Sequence, residues 1–174
     1  MKRLILVLPA LVMLLGLTVN SYALDFRGLR LGMTPNEVCK WLDPAVLEHC
    51  DPNHIGDIQD MAGMKLLGEG VTWGTILISD SKVVKITVLI YNDESEAYRK
   101  AVNKKYGQPL TSRKVPYQNN FGVKMMGLEE HWKIGKEHIF FSVRPKTVAD
   151  FETSLIFITD EWYRLETKKP EPKL

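Results

Sequence analysis

The stretch "VTWGTILISDSKVVKITVLIY", Val71 to Tyr91, decides the fold. Two β-branched runs, Val71–Ser79 and Val83–Tyr91, flank the dipeptide Asp80-Ser81, and this spacing predicts an antiparallel hairpin with a two-residue loop. With that loop, Leu77 faces Val84 and Thr75 faces Ile86. Trp73, Leu77, Val84, Ile86 and Val88 then share one face, which is the expected core side.

Downstream of the hairpin, Asp93-Glu94-Ser95-Glu96 places an acid three positions after a capping residue. A helix is predicted from there to Tyr106, burying Ala97, Tyr98, Ala101 and Val102. Its acidic start and its basic end at Lys104 and Lys105 complement the helix dipole, and Gly107 and Pro109 stop it. Three further strands are expected at Leu128–Ile134, Glu137–Val143 and Thr153–Thr159. Gly135-Lys136 reads as a tight hairpin loop that puts Trp132, Ile134, Ile139, Phe141 and Val143 on one face.

Upstream, "LRLGMTPNEVCKWLDP" (Leu29–Pro44) carries a marked helix start. Thr34 can cap, Pro35 suits the first helical position and Glu37 can complete a capping box. A short helix is predicted over 35–42 with Val38, Trp41 and Leu42 on its apolar side, and a second from Pro44 to His49. Residues 51–60 are polar and turn-rich, and Met61–Leu67 is a weak strand candidate interrupted by Gly63. The fold class is α+β: a helix pair plus an antiparallel β-meander in a single domain over 24–167. Its halves, 24–91 and 92–167, have the order of a duplicated α-β-β-β unit, without sequence repetition between them. Residues 168–174 read as a disordered tail.

Residues 1–23 have the three parts of a secretory signal peptide: Lys2 and Arg3, an apolar run from Leu4 to Val19, and the small-x-small site Ser21-Tyr22-Ala23. The apolar run, interrupted by Pro9, is short against the roughly 20 residues that span a bilayer. Cleavage after Ala23 is expected, with no stable membrane anchor afterwards. It removes two of the 23 Lys and Arg residues and none of the 21 Asp and Glu, so the mature chain is formally neutral. Binding to nucleic acid therefore gains no support from charge. In an exported protein the two cysteines, Cys39 and Cys50, read as a disulfide. It would staple the helix pair, contributing about 3 kcal/mol for so short a loop. The mature chain also holds no Asn-x-Ser/Thr sequon, in keeping with a bacterial envelope protein. The expected location is periplasmic, the alternative being secreted.

At "FRGLRLGMTPNEV" and "KYGQP" the chain resembles a broad set of small exported bacterial domains. These open on a Gly-x-x-x-Gly-Met-Ser/Thr helix start and carry a helix ending Tyr-Gly-x-Pro. The layout is similar to that shared by the β-lactamase inhibitor protein and the small lipoprotein subunit of the outer-membrane barrel-assembly machine. The resemblance covers Phe26 to Leu165. It implies a binding module whose sheet face or loops grip another protein. The barrel-assembly subunit is lipid-anchored, and this chain lacks the anchoring cysteine.

Catalytic signals are few. There is no Gly-x-Ser-x-Gly elbow and no phosphate-binding Gly-x-x-x-x-Gly-Lys-Ser/Thr loop, and "GEGVTW" (68–73) fails the dinucleotide fingerprint. Glu129-Glu130 could suggest glycosidase carboxylates, but adjacent strand residues point to opposite faces, so a charged rim is expected. His131 and His138 share the face opposite Trp132 and Ile139. They are expected to be solvent-facing, as a weak diagonal pair. His49 and His54, with Cys50, Asp51 and Asp57, are weak metal candidates whose spacing fits no standard site. No cofactor is expected.

Among the aromatics, Trp73 and Trp132 read as core. Trp162 and Tyr163, after the last strand, read as an exposed pair. The connection Pro116–Met126 is apolar for a loop, with Tyr117, Phe121, Met125 and Met126 as candidate partner-binding residues. The sequence thus points to a non-enzymatic periplasmic protein-binding module: an adaptor, an inhibitor or an envelope-assembly accessory. Its partner would be another envelope or secreted protein. The alternatives are a small envelope hydrolase with a spatially assembled site and a periplasmic metal-handling protein.

Overall fold

The capping box forms as the residue types require. Thr34 N–H donates to Glu37 Oε2 at 2.8 Å while Glu37 N–H donates to Thr34 Oγ1 at 3.4 Å. In the computed structural model, which describes residues 24–41, 57–58, 70–118, 122–147 and 150–168, this box opens helix α1, Pro35–Trp41. Before it lie two short paired strands, β1 (Asp25–Phe26) and β2 (Leu29–Arg30), turned by Arg27 and Gly28 at φ 53° and 91°. The second short helix, the Met61–Leu67 strand, Cys50, His49 and His54 lie outside the described residues, as does Phe121.

The rest of the chain forms β3 (Asp57–Ile58), β4 (Val71–Ser79), β5 (Lys82–Ile90), a 3₁₀ turn (Asn92–Glu94) and α2 (Ser95–Tyr106). Then follow β6 (Thr111–Gln118), β7 (Lys124–Ile134), β8 (Glu137–Pro145), β9 (Phe151–Thr159) and α3 (Asp160–Lys168). One seven-stranded antiparallel sheet has the order β3-β4-β5-β9-β8-β7-β6. The architecture is α+β, as the sequence predicts. No helix among the described residues is long and apolar enough to cross a membrane.

One face of the sheet carries the core. Ile76, Ile86, Val88, Trp132, Ile139, Phe141, Leu155 and Phe157 are buried there against Leu24, Phe26, Leu29, Leu31, Val38 and Val102. On β7 and β8 this matches expectation: Trp132 pairs with Ile139, Ile134 with Glu137, and Gly135 takes φ 60° in the loop. The first hairpin departs from expectation. Asp80 and Ser81 do form its loop, but Leu77 pairs with Lys85 and Ile78 with Val83, leaving Val84 as an extra residue on β5. This bulge turns Val83 to the core and puts Ile76 opposite Ile86. Thr75 faces Thr87 rather than Ile86, and Trp73 and Leu77 fall on the second face, half-buried.

Helix α2 lies on the core face but takes no side-chain cap at its start, where the 3₁₀ turn leads in. Val102 is buried, whereas Ala97 and Ala101 are exposed, against expectation. With Phe26, Tyr106, Leu155 and Phe157 they border an apolar cleft of about 320 Å³. Its mouth is crossed by Arg27, which donates to the Tyr98 hydroxyl at 2.9 Å, and by Lys105, paired to Asp25 at 2.7 Å. The stop at Gly107 is used twice: its N–H returns to Asn103 O, and its carbonyl accepts from Trp132 Nε1 at 2.8 Å.

Candidate partner-binding surface

Thr111–Gln118 is a strand, not part of a connection. Its polar sequence TSRKVPYQ carries no hydrophobic alternation, because β6 is the edge of the sheet. Arg113, Lys114 and Pro116 along it are residues that discourage pairing with a foreign strand. Within the apolar loop expected over 116–126, residues 116–118 and 124–126 are therefore paired strands, with Pro116 opposite Met126 and Tyr117 opposite Met125. Strand β8 pairs with β7 only from Leu128 onward, so Val115–Gln118 and Lys124–Gly127 pair only with each other, as a two-stranded ribbon.

Side chains tie the base of the ribbon together. Tyr117 donates to Glu129 Oε1 at 3.0 Å and Arg113 Nη2 donates to Glu129 Oε2 at 2.7 Å. The Arg113 hydrogen bond, with that from Tyr117, holds the Glu129 carboxyl below its ordinary range, while burial and the Glu129 carboxylate push the Tyr117 phenol up. A Cβ at Gly127 would meet the Tyr117 ring and the Val143 carbonyl, so glycine there lets the ring lie flat on β7. Along the same segment Met126 is 56% exposed and Val123 43%.

Glu130, expected on a charged rim, is 2% exposed on the core face. Burial pushes its carboxyl up, but hydrogen bonds from Arg99 and Ser112 more than reverse this and leave it below the ordinary value. The charge is tolerated because Arg99 meets both its oxygens.

The histidines occupy the second face. His131 and His138 form the expected diagonal pair, with rings 5.1 Å apart and His131 Nε2 2.8 Å from His138 Nδ1. They are not solvent-facing, because the residues after β9 form helix α3, which covers them. His138 is 3% exposed, its Nε2 lies 2.9 Å from Asp160 Oδ1, and the Tyr163 ring packs 4.5 Å above it. The His138 bond holds the Asp160 carboxyl down, helped by Arg164 and Lys133. Burial, with His138 and Lys133 nearby, lowers His131. Asp160, His138 and His131 form a hydrogen-bonded chain, and among the described residues no hydroxyl or thiol bonds to either imidazole.

Of the candidate residues, Tyr117, Met125 and Met126 come together on the ribbon. Trp162 and Tyr163 lie apart from them on α3, where Trp162 Nε1 donates to Glu166 at 3.1 Å. Sequence reasoning missed α3, although its signals are local: a Thr159 cap receiving the Trp162 N–H, acids at Asp160 and Glu161, and an Asp160–Arg164 pair at 2.7 Å. No group of three metal-ligating side chains occurs among the described residues.

No protein-family model, curated protein or solved structure matches this chain.

Proposed function

We propose that the protein is an exported, non-enzymatic protein-binding module of the bacterial periplasm, whose contact element is the β6–β7 ribbon. The observation that carries this reading is the ribbon itself: it is the paired edge of the sheet, is anchored by Tyr117, Glu129 and Arg113, and exposes Met126 and Val123. Rigid elements presenting apolar side chains supply interface anchors, because little conformational entropy is lost when they dock. The partner is another envelope or secreted protein. Export follows from the leader over 1–23, and with export goes a Cys39–Cys50 disulfide. In support of that bond, Cys39 is 5% exposed on α1 and no free thiol occurs among the described residues. The same reading takes α1 with β3–β5, and α2 with β7–β9, as a duplicated α-β-β-β unit meeting at β5 and β9, with β6 as an extra edge strand in the second half. This is in keeping with the resemblance to the β-lactamase inhibitor layout.

The test is co-purification from intact periplasm with the parent protein and with Met126→Ala and Val123→Ala. Truncating an interface anchor costs about 2 kcal/mol or more in binding, whereas exposed substitutions alter stability by about half a kcal/mol. The variants should melt like the parent and lose the partner. Turnover of a substrate, abolished by replacing His131, would instead establish the hydrolase.

A further inference from the structure

Leu24 is fully buried, and its backbone nitrogen lies 2.6 Å from Glu137 Oε2 on β8. The segment is held on its other sides too. Leu31 N–H donates to Leu24 O at 3.3 Å, and the Tyr106 hydroxyl donates to Asp25 O at 3.1 Å. Glu137 is half-buried and, among the described residues, no cation faces it; its one hydrogen bond there comes from Leu24. Burial consequently pushes its carboxyl up. A carboxylate taken partly out of water with only a neutral amide for company is an unfavourable arrangement, unless a positive charge arrives.

The residue that meets Glu137 is the one that follows the small-x-small site. We propose that Glu137 is the binding site for the α-ammonium group of the processed chain, created by cleavage between Ala23 and Leu24. This rests on the export reading above. Hydrolysis by an envelope endopeptidase adds one water across the bond: Ala23 leaves with the carboxylate, and the Leu24 amine takes up a proton. The hydrogen bond already in place then becomes a charge-assisted ion pair, and the leader's removal locks the first strand onto the sheet. The other titratable groups around this end are Asp25 on the same strand and Lys105 and Tyr106 on α2. Asp25 and Lys105 already pair with each other, at 2.7 Å.

The full-length chain is expressed with its leader, recovered from the periplasm and weighed. Its α-amine is then labelled with an acylating reagent at neutral pH, folded and in urea. A mass beginning at Leu24, with folded labelling at least tenfold slower than unfolded and restored by Glu137→Gln, is the expected result. NMR titration should place the amine above its usual range of about 7.7–8.0. A chain that begins at another residue overturns the processing site itself. A chain that begins at Leu24 but labels equally fast folded and unfolded leaves export intact and overturns the ion pair. Should Glu137→Gln not fold, the folded-to-unfolded rate ratio of the parent decides alone.

Discussion

Glu130 on β7 and Arg99 on α2 are joined fork to fork: Nε to Oε2 and Nη2 to Oε1, each at 2.7 Å. The carboxylate is buried in the core face, while the Arg99 side chain is 33% exposed at the helix surface. Removing one partner of a fully buried pair costs about 3–5 kcal/mol, and the exposure of Arg99 discounts this, so Arg99→Ala should cost about 2–3 kcal/mol. Because the Glu130 carboxyl is held down in the fold, the contribution is present above the ordinary carboxylate pKa. It is lost as the pH falls through the depressed value. Urea midpoints of parent and variant should differ at neutral pH and converge in acid. Equal midpoints at pH 7 would mean that Ser112 alone satisfies the carboxylate.

His131 titrates in the opposite environment. Burial first, and then the nearby His138 and Lys133, lower its pKa from the ordinary value, so the unfolded chain binds the proton more readily. Its contribution to stability is complete above about pH 6.5 and is lost as the pH falls from there towards the lowered folded value. Melting temperature should therefore decline over that window in the parent and decline less in His131→Phe, which keeps the stack on Phe140. The same slope in both proteins would assign the effect to other groups.

Gly127→Ala tests how tightly the ribbon is anchored. The added methyl would run into the Tyr117 ring on one side and the Val143 carbonyl on the other, and the backbone carbonyl cannot move aside. A cost of about 1–3 kcal/mol is expected, as for other overpacked sites. Gly127→Ala combined with Tyr117→Ala should recover part of it. Chemical denaturation of the single and double variants would show this directly.

The hairpin loop offers a gain. Asp80 and Ser81 take φ 50° and 59°, the left-handed region in which side chains other than glycine are strained. Ser81→Gly should therefore stabilise the protein by about 0.5–1 kcal/mol, less than the strain relieved, because glycine also frees the unfolded chain. A lower melting temperature in that variant would contradict this account of the turn.

What the sequence by itself determined was local. The Thr34–Glu37 box, the Gly107 stop, the Asp80-Ser81 and Gly135-Lys136 loops and the shared face of Trp132, Ile139 and Phe141 all follow from residues a few positions apart. Helix α3 was written locally too, in Thr159, Asp160 and Arg164, though hydrophobic periodicity alone does not pick it out. Only the tertiary structure decided the rest. The extra residue at Val84 sits beside an identical Val83, between Lys82 and Lys85, so residue type does not mark which of the two valines is left out of the pairing and the faces exchange there unannounced. Strand β6 has the composition of a loop and is a strand because β7 lies beside it. Glu130 and His138 are buried because α2 supplies an arginine to one and α3 covers the other. Burial of a polar side chain depends on a partner from a distant element, and the residues on either side of it carry no trace of that partner.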